Sequence, residues 1–215
     1  SNDSSDVCLW SEVGNGIDYY FIRGTDLDHV IAGYRQLTGK APLYGKWAYG
    51  FFQSKEHYHT QDELLNVVSK YRQQDVPLDV IVQDWFYWHP QPWGSHYFDR
   101  ERYPNPVEMI NKVHNHHAKI MISVWAKFEP GSANYKELKN AGCLSPPLKH
   151  PTLGRKTRYY DPYSSNCRQI YWKQIRDSLF NKGVDAWWLD ATEPEMGYLK
   201  YNRTKKLMNN TMGKG

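Results

Sequence analysis

The sequence predicts an α/β chain that forms the first half of a (β/α)8, or TIM, barrel, and three observations carry that prediction. Beyond residue 42, four short apolar segments recur, and three of them are separated from the next by a helix-period pattern, as stacked strand-helix units require. The run Val80-Ile81-Val82 is apolar without alternation, as expected of a strand covered on both faces. Two of the segments end on an acid, Asp84 and Asp190, and in a parallel barrel the carboxyl ends of all strands open on one mouth. A complete barrel takes about 250 residues. These 215 residues are nearly used up by four units and a long insertion. The remaining half of the barrel is therefore expected from missing downstream sequence in the full-length chain or from a partner, since an open four-strand sheet leaves apolar edges unpaired.

Taken in order, residues 17–22 are rich in aromatic and β-branched types and read as a strand. Residues 26–37 read as a short helix capped by Asp26, and Gly39-Lys40-Ala41-Pro42 breaks the chain. The first barrel strand is expected over 47–53. A helix follows on Leu64, Leu65, Val67, Val68 and Tyr71, with Thr60 and Glu63 in capping-box spacing. The second strand is expected over 78–85, ending at Asp84. Next comes a helix that opens near Pro106 and repeats Val107, Ile110, Val113 and His117, and then a third strand over 120–125. The proline- and glycine-rich stretch 129–165 reads as an excursion from the rim, with one short helix at 134–140. Tyr171, Ile175 and Leu179 mark a helix that stops at Asn181-Lys182-Gly183, and the fourth strand starts at Ala186.

Composition narrows the function classes. The net charge of +4 is spread without basic blocks apart from residues 203–206, so nucleic acid is not an expected partner. No apolar run approaches the roughly 20 residues of a membrane span. Cys8, Cys143 and Cys167 are odd in number and irregularly spaced, which suits neither a disulfide framework nor a zinc ribbon. Glycosylation triplets at Asn2, Asn202 and Asn209 leave the compartment open. His57 and His59, and the group His114, His116 and His117, lack matching Cys or carboxylate spacing. No metal and no cofactor is therefore expected.

The chemistry points to a sugar. Aromatic residues make up 15% of the chain, and the string Trp187-Trp188-Leu189-Asp190-Ala191-Thr192-Glu193 puts flat apolar faces beside an acid at a strand end. Trp188 and Asp190 share one strand face by the period-two rule, so a ring can lie between them. Retaining glycoside cleavage needs a carboxylate nucleophile on one side of the anomeric carbon, and Asp190 is the candidate. Glu193 is assigned to orienting Asp190 or to capping the helix beside Pro194. The alternative for each strand-end acid is a helix cap or an ordinary ion pair.

Five markers together resemble glycoside hydrolase family 31, and most closely its α-xylosidase branch: Gly39-Lys40-Ala41-Pro42, residues 47–54, Val82-Gln83-Asp84-Trp85, Ser123-Val124-Trp125 and residues 188–193. The resemblance implies a retaining hydrolase in which Asp190 is the nucleophile, Asp84 binds sugar hydroxyls, and Trp188 lines the pocket with Trp125 as a further candidate for its wall. It also implies that residues 1–40 are the end of an N-terminal β-sandwich with a connecting helix, and that 41–215 are the N-terminal half of the catalytic barrel. The family's usual methionine after the nucleophile is replaced here by Ala191. Its acid/base, an aspartate in the second barrel half, has no counterpart after Met196, so these residues alone are expected to be inactive. The implied activity is cleavage of terminal α-xylosyl residues from oligosaccharides such as xyloglucan fragments, for which a secreted or periplasmic setting would suit. The alternatives are an α-glucosidase or α-glucosyltransferase with the same carboxylates, and a non-catalytic sugar-binding fragment.

Overall fold

The computed structural model describes residues 8, 18–149 and 156–191. The chain divides into two compact units, Ser1–Lys46 and Trp47–Gly215. In the first, helix α1 spans Leu27–Thr38. Asp26 caps it by accepting the His29 N–H at 2.9 Å, and Gly39 ends it at φ 86°, a conformation open to glycine. The strand expected over 17–22 is not formed at 18–22, where the chain takes no regular secondary structure. β-branched and aromatic content gives a segment the shape for a sheet, but no neighbouring strand is present among the described residues to take its hydrogen bonds.

The second unit holds a four-stranded parallel sheet of β1 (Phe52–Ser54), β2 (Val80–Gln83), β3 (Lys119–Trp125) and β7 (Ala186–Asp190), in the order β1-β2-β3-β7. Helices α2 (Gln61–Gln73), α3 (Pro106–Asn115) and α5 (Ser165–Ser178) connect these strands, which is the alternation of a partial barrel whose closure is not seen here. Between β3 and α5 the excursion carries β4 (Lys127–Phe128), α4 (Ala133–Asn140), β5 (Leu148–Lys149) and β6 (Lys156–Tyr159), the three strands forming a small antiparallel sheet. The core lies between the parallel sheet and the helices. Ile81, Ile120, Ile122 and Val124 pack there with Leu64, Val68, Met109, Ile110, Val113 and Ile175.

Local chemistry explains the boundaries. Thr60 accepts the Glu63 N–H, and the Glu63 carboxylate reaches back to the His59 N–H, a reciprocal cap displaced by one residue from the expected box. The first strand is shorter than 47–53: Lys46–Tyr49 is a 3-10 turn closed by the Gly50 N–H on the Trp47 carbonyl. Gly50 lies so close to Asp79 that a Cβ there would sit 2.1 Å from its carboxylate, so the strand starts only after that contact. The second strand shrinks to Val80–Gln83 because Asp79 spends its carboxylate on the Phe51 N–H and Asp84 already belongs to the mouth. His117 falls outside the α3 stripe: the helix ends at Asn115 and His117 turns into the left-handed region at φ 53°. Val107 is exposed, and Met109 takes the buried place beside Ile110 and Val113.

The cysteine expectation is corrected too. Cys143, just past α4, and Cys167, in the first turn of α5, form a disulfide that pins the excursion to the barrel helix, while Cys8 is free and exposed. Spacing cannot reveal such a pair, because the fold brings together residues 24 apart in sequence. Among the described residues, no helix is long and apolar enough to cross a membrane.

Candidate active site

Strand register assembles the mouth. Gln83 pairs with Ile122, so Asp84 leaves β2 level with Ser123; Ser123 pairs with Trp188, and Trp125 pairs with Asp190. Paired residues of a parallel sheet share a face, and every second residue returns to it. Asp84, Ser123 and Trp188 therefore form one layer at the carboxyl end, with Trp125 and Asp190 in the next layer up, about 7 Å higher at the usual rise per residue. Ile122 and Val124 point the other way, into the helix-covered core. Asp84 and Asp190 thus belong to the same end of the sheet, as the sequence expects of a barrel mouth.

Electrostatics links the two acids. Burial pushes the Asp84 carboxyl above its ordinary value, and the charges of Asp190 and Glu56 push it further; the Ser123 hydroxyl and the Trp85 N–H act in the opposite direction. The Trp85 N–H donates to Asp84 Oδ1 at 2.7 Å, and the Ala191 N–H donates to Asp190 Oδ1 at 2.8 Å. Ala191 holds a left-handed φ of 48°, a turn that folds its N–H back onto the carboxylate before it.

Aromatic side chains wall the mouth. Trp85 stacks on Trp93 with centroids 5.3 Å apart, and Trp88 and Trp93 meet Trp125 edge-on at 5.2 and 5.4 Å. Trp125 is only 4% exposed and offers little open face, whereas Trp188 is 39% exposed. The strand end behind Trp125 is braced from α5: the Tyr171 hydroxyl donates to the Trp125 carbonyl at 3.0 Å, and its ring stacks on Tyr160 at 4.3 Å. Arg102 ties down the loop after β2, donating to the carbonyls of Phe86 and His89 at 2.6 Å each.

Glu193 lies outside the described residues. His57 and His59 meet edge-on beside Trp85 and Phe86, and His114 is paired with Asp185 at 2.8 Å. No group of three or more His, Cys, Asp or Glu is placed to hold a metal ion among the described residues. In the sequence Ser123 stands only as part of a family marker, and Trp88, Trp93 and Arg102 are not singled out. Counting by twos back from Trp125 finds Ser123, and the aromatic density of 85–98 hints at the tryptophans. Arg102 has one local partner, Asp99 three residues back at 3.4 Å, but the carbonyls of Phe86 and His89 that it holds are brought close only by folding.

The chain is similar to solved and curated glycosidases. It is 43% identical over 189 residues to an α-xylosidase of Saccharolobus solfataricus, a match covering 88% of this chain and 24% of that protein. The crystal structure of an α-xylosidase from Xanthomonas citri superposes with a TM-score of 0.76 at 47% identity, over 84% of this chain and 20% of that one. An α-glucosidase of Saccharolobus solfataricus is 27% identical over 84% of this chain and 26% of its own length. The chain thus spans about a quarter or less of these relatives. Residues 41–214 match the glycosyl hydrolases family 31 TIM-barrel domain, and the chain belongs to that family.

Proposed function

We propose that the full-length protein is a retaining α-glycosidase that removes terminal α-xylosyl residues from oligosaccharides such as xyloglucan fragments. The observation that carries this reading is the register that sets Asp84 and Asp190 two residues apart in height on one mouth, with Trp188 level with Asp84. Asp190 attacks the anomeric carbon while an acid protonates the departing oxygen; the glycosidic C–O bond breaks and a glycosyl ester forms on Asp190. Water then attacks the same carbon and gives its proton to the conjugate base, so the starting configuration is restored and Asp190 is freed.

Asp84 binds hydroxyls of the sugar being cleaved, Trp188 supplies a stacking face, and Trp125 backs the pocket. Glu193 orients Asp190 or caps the following helix. The acid/base is an aspartate of the second barrel half, which also covers the open edge of β7, where Leu189 is 60% exposed. The Cys143–Cys167 disulfide suits an oxidising setting such as the cell exterior or periplasm.

Xylose is favoured over glucose by the higher identity to the α-xylosidases. The contest turns on one hydroxymethyl group, whose exclusion is worth only about 1–3 kcal/mol. Rates of the full-length protein on aryl α-xyloside and aryl α-glucoside test this, with the first product anomer followed by NMR. The expected result is faster xyloside turnover with α-xylose released first. A faster glucoside moves the protein to the α-glucosidase reading, β-xylose rules out retention, and binding of either sugar without turnover leaves a sugar-binding module.

A further inference from the structure

Ser123 stands in the middle of β3, a strand whose other central positions are Ile122 and Val124. Its side chain is fully enclosed, yet Oγ completes no well-aligned hydrogen bond. A buried hydroxyl without a well-aligned partner costs up to about 1–3 kcal/mol, and a β-branched apolar residue would suit a covered parallel strand better. The backbone there is pinned, since the Tyr87 hydroxyl donates to the Ser123 carbonyl at 3.1 Å, but the side-chain O–H can still rotate. Register places it on the mouth face, level with Asp84 and opposite Trp188. From there it already acts on the Asp84 carboxyl.

We propose that Ser123 is the positioning residue for Asp84, its hydroxyl swinging to donate to the Asp84 carboxylate as that carboxylate takes a sugar hydroxyl. The inference rests on the reading of Asp84 as a sugar-binding group. Burial and two acids, Asp190 on β7 and Glu56 past β1, favour the neutral form of Asp84, and the Tyr87 phenol adjoins the same space. Against them stand two donors, the Trp85 N–H and the Ser123 O–H. A carboxylate that loses one of two donors in such surroundings becomes easier to protonate and freer to rotate.

The test uses the full-length protein and the variants Ser123→Ala and Ser123→Thr. For Ser123→Ala the KM on aryl α-xyloside is expected to rise roughly tenfold, the worth of one hydrogen bond to a charged group, with a smaller change in kcat. The acid limb of kcat/KM moves to higher pH, and Ser123→Thr restores both. The urea midpoint stays put, since the alanine removes an unsatisfied hydroxyl; a merely structural serine would lower the midpoint and leave the acid limb where it was. An infrared titration of the protonated-carboxyl band, isolated by subtracting Asp84→Asn, reads the same group without turnover. Its midpoint is expected to rise in Ser123→Ala. Coincident limbs and coincident carboxyl titrations in wild type and Ser123→Ala would overturn the assignment. A wild type inactive on both α-glycosides overturns the proposed function instead, and the infrared titration still decides the role of Ser123.

Discussion

At the amino end of β2 and β7 stand Asp79 and Asp185; at the carboxyl end of the same two strands stand Asp84 and Asp190. Of the lower pair, Asp185 is saturated by its surroundings and Asp79 is tied to the neighbouring strand. Asp185 accepts the Ile120 N–H at 2.9 Å, His114 Nε2 lies 2.8 Å from it and the Lys119 ammonium 3.0 Å, while Asp79 takes the Phe51 N–H at 2.9 Å. Each upper acid is held by the N–H of the residue that follows it, which leaves acceptor capacity directed at the mouth. Opposite titration behaviour follows. Burial raises the Asp185 pKa, but the Ile120 N–H, His114 and Lys119 outweigh it and the net shift is downward; for Asp84 burial wins and the shift is upward. The two strands thus divide into a floor, where Asp185 ties strands and helix together, and a rim, where Asp84 and Asp190 each take the N–H of the next residue.

That division can be broken by exchanging losses between the two ends. The largest effect is expected at the rim: in the full-length protein, Asp190→Ala should lower kcat/KM on aryl α-xyloside at least about a thousandfold while the urea midpoint stays close to wild type. Turnover near wild type would remove Asp190 from the chemistry. At the floor the signs reverse. Asp185→Ala should cost about 2 kcal/mol of stability, because three donors lose one acceptor, and KM measured on the protein that remains folded should not change. An Asp185→Ala enzyme with an intact urea midpoint would mean that the floor network is ornamental.

The smallest effect sharpens the contrast through pH. A carboxyl whose folded pKa is lowered stabilises the fold above its unfolded pKa, and this contribution is lost as pH falls through the folded value. The stability gap between wild type and Asp185→Ala should therefore narrow as urea unfolding is carried from pH 5 toward pH 3. A gap that widens on acidification would contradict the assigned direction. Asp84 behaves in the opposite sense: with its pKa raised, its ionised form costs stability at neutral pH, so its protonation below that range favours the fold.

Helix periods were legible in the sequence because each reports burial of one face, and α1, α2 and α5 lie close to where the pattern puts them. Strand ends were less so. The same aromatic and β-branched content that marks β3 also marks residues 17–22, where no strand forms at 18–22; pairing depends on a neighbour that composition does not name. Asp84 and Asp190 could be found as acids closing apolar runs. Asp79 and Asp185, at the opening of the same runs, look equally acidic in sequence, and only the direction of the strands separates them.

By itself the chain determined its alternation of strand and helix, the apolar run of each parallel strand, and the family markers around Asp84, Trp125 and Asp190, because these depend on local periodicity and residue identity. The tertiary structure decided the register that levels Asp84 with Ser123, the disulfide between Cys143 and Cys167, and the brace from Tyr171 to the Trp125 carbonyl. These contacts join residues far apart in sequence. Their energy exists only once the sheet has formed, and no window of the chain short enough to show a period is long enough to contain them.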